Sequence, residues 1–221
     1  MPNALVVSFA ILLSHRPYQG AVSIAENDAA EFKLELTLVK VGDGLLNALS
    51  ANGVSGTSLQ NIPSLPVPKA HLRKAFGPKV DVGISGLFYL GQYIAGGDLK
   101  YNFYQPEEGL GAAFRLGYTT VHAPRLNVKS ASVITPELVF SRRLSAAEPY
   151  IGLGGRLISG TISVTFPDPI GTLEKSGSGT TSYAFTGVNF VIGSKGLRLA
   201  LEGTYDLSGY SSIGTMFGVA F

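Results

Sequence analysis

The chain has 221 residues with 17 basic and 15 acidic side chains, a formal charge of +2, no cysteine, 28 glycines and 14% charged residues, where an ordinary soluble domain carries roughly 25%. The near-balanced charge, without a dense basic block, gives nucleic-acid binding no support, and the lack of cysteine excludes disulfides and thiolate metal sites. No uninterrupted apolar run approaches the roughly 20 residues of a spanning helix, so a composition that leans toward membrane points to a transmembrane β-barrel, the other architecture that pairs every backbone polar group internally in hydrocarbon.

Residues 1–30 carry the weakest pattern. Ala4 to Leu13 is an apolar stretch of signal-peptide length, yet no Lys or Arg precedes it and no clear small-x-small cleavage site follows. This lead-in has three readings: a degenerate signal, a plug tucked into the lumen, or an extra strand. The barrel is expected to occupy residues 31–221.

Phe32, Leu34, Leu36 and Leu38 alternate with Lys33, Glu35, Thr37 and Val39, a period-2 strand with charges on one face. Asp43 then opens a short amphipathic stretch in which Leu45, Leu46, Ala48 and Leu49 share a face, predicting a two-turn helix capped by Asp43 inside a long loop from Gly42 to Leu65. Val67 to Ala75 reads as a strand with Lys69, His71 and Arg73 on one face, despite its prolines. Two further strands follow. In the first, Val80, Val82, Ile84, Gly86 and Phe88 oppose Asp81, Gly83 and Ser85; in the second, Tyr93, Ala95, Leu99, Tyr101 and Phe103 oppose Asp98, Lys100 and Asn102.

Leu110 to Thr119 places Phe114, Leu116 and Tyr118 against Arg115, and Ile134 to Ser141 places Leu138 and Phe140 against Glu137. Pro136 inside that run removes a ladder donor, which predicts a bulge. Ile151, Leu153 and Leu157 oppose Gly152, Gly154 and Arg156. Thr161 to Thr180 is polar with prolines and a Gly-Ser run and reads as the longest loop. Tyr183 to Ile192 changes phase near Gly187 and Val188, predicting a second bulge. Leu197, Leu199, Leu201, Tyr205 and Leu207 then face away from Arg198, Glu202 and Asp206.

The last strand, Ser211 to Phe221, alternates at every step: Ile213, Thr215, Phe217, Val219 and Phe221 on one face, Ser212, Gly214, Met216, Gly218 and Ala220 on the other. Small residues on the second face suit a narrow barrel interior better than a solvent-facing surface. A terminal Phe with apolar residues two, four and eight positions before it resembles the carboxy-terminal assembly signal of Gram-negative outer-membrane β-barrel proteins. That resemblance implies a bacterial outer-membrane location, lipid as the surrounding partner, and insertion by a barrel-assembly machine that reads Phe217, Val219 and Phe221.

The expected fold is all-β: a transmembrane antiparallel up-and-down barrel of about ten strands, with eight or twelve as alternatives. Short turns alternate with long connections, and aromatic residues form two tiers, Phe88, Tyr93, Tyr118 and Tyr205 at one end and Phe103, Phe140 and Phe221 at the other. The lumen is expected to hold a polar network of Lys33, Glu35, Asp81, Asp98, Lys100, Arg115, Glu137, Arg156, Arg198, Glu202 and Asp206, with Lys69, His71 and Arg73 beside them. Acids and bases are nearly equal there, which suits pairing across a narrow interior more than ion selectivity.

Catalytic, cofactor and metal sites are not expected. His15, His71 and His122 are scattered without a paired-ligand spacing. His122 with Ser130 or Ser132 is a thin hydrolase candidate, and the glycine run at Gly152 to Gly155 lies in a strand, where a dinucleotide loop has no place. A structural or surface-contact role through the loops Gly42–Leu65 and Thr161–Thr180 is the leading functional reading. The alternatives are an outer-membrane channel for a small solute or hydrophobic ligand, and a soluble lipocalin-like barrel in which every inward and outward face is exchanged.

Overall fold

The computed structural model describes residues 14, 16–22, 30–40, 64–89, 92–105, 109–123, 128–165, 172–193 and 196–221. The strands are β1 (Ala30–Lys40), β2 (Ser64–Phe76), β3 (Val80–Tyr89), β4 (Gln92–Tyr104), β5 (Leu110–Ala123), β6 (Val128–Arg142), β7 (Ala147–Thr165), β8 (Thr172–Ile192), β9 (Leu197–Asp206) and β10 (Ser211–Ala220). Each pairs antiparallel with its neighbours in sequence, and β1 pairs with β10, so the sheet closes into an up-and-down barrel. At the seam Glu31 lies opposite Ala220 and Val39 opposite Ser212, while Ala30 and Phe221 exchange both backbone hydrogen bonds. Closure leaves no free edge inside the barrel wall.

The alternation in the sequence becomes an inside-out burial pattern. In β1, Lys33, Glu35 and Thr37 are buried while Leu34, Leu36 and Leu38 are exposed. The same holds around the wall, where Leu34, Ile84, Leu153 and Ile213 are each more than half exposed. A continuous apolar exterior of this extent has no stable counterpart in water, and it fits an exterior solvated by lipid. The orientation removes the soluble lipocalin-like reading, which needs the leucines inside.

Strand lengths are unequal. β9 and β10 have 10 residues each, which matches the 9–11 of a membrane-spanning strand. β7 and β8 have 19 and 21 residues, so their joined ends extend past the end of β9 as a hairpin paired out to Thr165 and Thr172, with β6 alongside β7 as far as Ile162.

This projection corrects the expected loop from Thr161 to Thr180. Thr161 to Thr165 alternates Ile162 and Val164 with Thr and Ser, whereas Ser176 to Thr180 lacks hydrophobic periodicity and is held as a strand by its backbone pairing with β7. The bulge expected at Pro136 is also absent. β6 and β7 keep one register on both sides, Ile134 opposite Leu157 and Glu137 opposite Gly154, with pairs missing only in between. β8 likewise runs without a shift through Gly187 and Val188 against both neighbours. The apparent phase change arises because aromatic residues, Tyr183 and Phe185, point inward and are buried. Register shifts occur instead at Asn102/Tyr104, Val121/Ala123 and Val128/Ser130. Ser64 and Leu65 belong to β2, and the helix expected near residues 44–51 falls outside the described residues.

Candidate functional site: the polar lumen

The inward residues converge on the lumen, and their pairing follows from the register. Lys100 lies directly opposite Asp81 across β3 and β4, and their charged groups are 2.9 Å apart. Glu35 is opposite Lys69 and also meets His71 Nε2 at 2.5 Å. Arg115 is opposite Glu137 and donates to it through Nε. Lys33 pairs with Glu31 at 2.6 Å.

Other pairs reach over an intervening strand. Arg73 on β2 donates to both carboxylate oxygens of Asp98 on β4, at 2.6 and 2.5 Å. Gly83 of β3 lies beneath this bridge, where a Cβ would stand 2.5 Å from Asp98 Oδ1 and 2.7 Å from the Arg73 guanidinium. Arg198 on β9 meets Glu31 on β1 at 2.8 Å, spanning β10. Arg156 on β7 pairs with Asp206 on β9, and Thr181 of the strand between them also donates to Asp206, at 2.6 Å. Charges held this way meet their counter-ions directly, which offsets the cost of removing them from water.

The structure brings all eleven expected residues to the interior, ten of them buried and Arg198 partly exposed with a side chain 22% accessible. Glu202 is met by the Tyr150 hydroxyl at 3.0 Å. An aromatic cluster absent from the sequence reading, Val139, Tyr150, Tyr183 and Phe185, fills one part of the lumen. Tyr183 donates to Glu137, and the Arg156 guanidinium lies 3.7 Å from the Tyr183 ring centroid. The glycine run of β7 explains how the rings fit: a Cβ at Gly152 would collide with Phe185 and one at Gly154 with Tyr183. The inward parity of Tyr183 and Phe185 against Ala184 and Thr186 was the available signal.

Residues 14 and 16–22 run through the lumen and are buried. Lys69 donates to the Ser14 carbonyl at 2.9 Å, Arg115 to that of Gln19 at 3.2 Å, and Lys100 to those of Gly20 and Val22 at 3.1 and 2.7 Å. In return the Ala21 and Val22 amides donate to Ser141 and Glu148, at 2.8 and 3.1 Å. Tyr18 packs on Ala200 and Met216, and its hydroxyl meets Thr37. Its ring occupies the space that a side chain at Gly214 would fill. A remaining void of about 10 Å³ between Pro17, Glu31, His71, Arg73 and Asp98 has room for about one water molecule.

Two members of the hydrolase candidate, His122 and Ser132, take other partners. His122 stacks on Tyr93 with ring centroids 5.4 Å apart and binds the Lys129 carbonyl at 2.6 Å, while Ser132 bonds Ser159 at 2.8 Å. Among the described residues no group of three or more His, Asp or Glu is placed to hold a metal ion. At the carboxy terminus Phe217, Val219 and Phe221 point outward and are 53%, 38% and 67% exposed.

No family model and no curated protein matches the chain. Among solved structures, the amino-terminal barrel domain of Pseudomonas aeruginosa OprF is similar at 12% identity and a TM-score of 0.36, over 85% of this chain and 96% of that one. Neisserial surface protein A is similar at 11% identity and 0.37, over 87% and 97%. The Acinetobacter baumannii outer membrane protein Omp33 is similar at 9% identity and 0.38, over 92% and 100%. The chain's own pairing and face pattern establish its architecture: a closed, ten-stranded transmembrane up-and-down β-barrel with a charged interior.

Proposed function

We propose that this chain is a non-enzymatic structural and surface-contact barrel of a bacterial outer membrane. The filled lumen carries the reading. Ion pairs brace the wall, aromatic rings occupy part of the interior, and residues 14 and 16–22 run between them, so the interior is organised as a packed core. Contact with the outside falls to the hairpin of β7 and β8, whose exposed residues Ser159, Glu174, Ser176, Ser178 and Thr180 are polar. The other proposed contact surface, Gly42–Leu65, lies outside the described residues up to residue 63, and its last two residues belong to β2. Lipid surrounds the apolar belt, and a barrel-assembly machine reads the outward Phe217, Val219 and Phe221.

Planar bilayer recording on the folded full-length protein tests this. The expected result is an electrically silent membrane; a steady conductance scaling with the number of inserted molecules would refute the closed reading. In its place would stand the second reading, a conduit for small solutes. One observation favours that alternative: the wall grips residues 14 and 16–22 largely by hydrogen bonds to backbone groups, which water can replace at little net cost.

A further inference from the structure

We propose that the edge of β8 from Glu174 to Thr180, unpaired among the described residues, is a docking edge for one extended segment of another polypeptide, which adds to the sheet as a further strand. The inference rests on the surface-contact reading and names the partner that the projecting hairpin takes.

β9 ends at Asp206 and turns back at residues 207–210. Its pairing with β8 stops at Tyr183 opposite Asp206, followed by one bond from the Leu207 amide to the Ser182 carbonyl. β8 itself continues to Thr172 with β7 alone as its partner among the described residues. Successive residues of a strand direct their N–H and C=O groups to opposite sides. The Ser182 carbonyl points toward β9, so Thr180, Ser178, Ser176 and Glu174 point the same way, into the space that a longer β9 would fill. The unbroken register with β7 carries that parity along the whole stretch.

Natural edges of this kind are guarded by proline, bulges or charge. Between Glu174 and Thr180 there is no proline and no shift of register, the Glu174 carboxylate is paired with Lys129 at 2.6 Å, and the one other charge, Lys175, stands at the far end of the stretch, leaving Ser176 to Thr180 uncharged. A row of alternating donors and acceptors at strand spacing is complemented by another extended backbone, the geometry of β-strand addition. The slot also selects side chains. Ser176, Ser178 and Thr180 are exposed on one face, with Thr161 bonded to Ser176 at 3.0 Å, and Gly177 and Gly179 lie on the other. An added strand gains most by placing Ser or Thr beside the hydroxyls and an aromatic ring opposite each glycine.

Amide hydrogen exchange on the folded full-length protein reads this edge directly. In the protein alone, the amides of Glu174, Ser176, Ser178 and Thr180 should exchange at least about tenfold faster than those of Lys175, Gly177 and Gly179, which face β7. A soluble, lysine-flanked peptide alternating Thr and Tyr should slow the first set about tenfold or more. The double variant Ser176→Pro, Ser178→Pro removes two outward donors without taking a bond from the β7 ladder. It should abolish peptide protection at Glu174 and Thr180 while unboiled gel migration stays that of a folded barrel.

Three outcomes overturn the proposal: outward amides already slow without peptide, showing an edge covered by this chain or a second copy; no slowing at the peptide's solubility limit; or equal slowing in the proline variant. Each leaves the closed-lumen reading, which conductance tests, where it stands.

Discussion

Leu201→Arg puts the inside-out assignment at risk. β9 has 10 residues, close to the length of one membrane crossing, so Leu201 sits near the midplane. It faces outward, is 44% exposed, and lies between Thr215 of β10 and Val188 of β8. In water a substitution at a half-exposed leucine falls within about 0.5 kcal/mol. At the centre of a bilayer, Arg on the lipid face of a barrel costs roughly 2–4 kcal/mol, a shift of about 30- to 900-fold in the folding equilibrium. The control is Leu207→Arg at the strand's rim, 75% exposed and just past the end of β9, where the expected cost is about 0–1 kcal/mol. Reversible urea unfolding in lipid vesicles, followed by circular dichroism, measures both. Equal, near-zero costs at the two positions would refute the lipid-facing assignment, because a water-facing wall has no depth dependence.

The Arg115 and Glu137 pair is 2% and 5% exposed at its side chains and lies in register across β5 and β6. Arg115→Met should destabilise the barrel by about 3–5 kcal/mol by stranding the carboxylate, and adding Glu137→Gln should recover most of that in the same unfolding assay; full additivity of the two losses would show that they do not interact. At the carboxy terminus, Phe221→Ala should lower the outer-membrane level of the expressed protein severalfold while leaving the refolding yield in detergent within about twofold. Wild-type membrane levels would remove the assembly role given to Phe221.

Strand phases in β1, β3, β4, β9 and β10 were legible because large apolar residues alternate there with small or charged ones, and hydrophobic periodicity is a local signal. The lumen network was legible for the same reason: Asp81, Lys100, Arg115 and Glu137 each sit on the face opposite a run of large apolar residues, Val and Ile for Asp81 and Leu, Phe or Tyr for the others. The outer half of β8 was hidden because Ser, Thr and Gly on both faces of residues 176–180 leave no contrast to read, and the short alternation of Ile162 and Val164 with Thr161, Ser163 and Thr165 in β7 was masked by the prolines and Gly-Ser run that follow it. Tyr183 and Phe185 misled in the other direction, since aromatic residues inside the lumen break the rule that large apolar side chains meet lipid. What admits them is Gly152 and Gly154 on the facing strand, a relation visible only once β7 and β8 are paired.

By itself the sequence determined the period-2 alternation, the positions of most turns, and which charged side chains share a face, because all of these follow from the geometry of one extended strand. The tertiary structure decided which face is inside, since the same alternation serves a barrel in water and one in lipid with the signs exchanged. It also decided the partners that depend on closure. Glu31 meets Arg198 only because β1 and β10 join, and Arg73 reaches Asp98 only because Gly83 leaves the space between them. Contacts of this kind join residues far apart in the chain, and no local pattern encodes them.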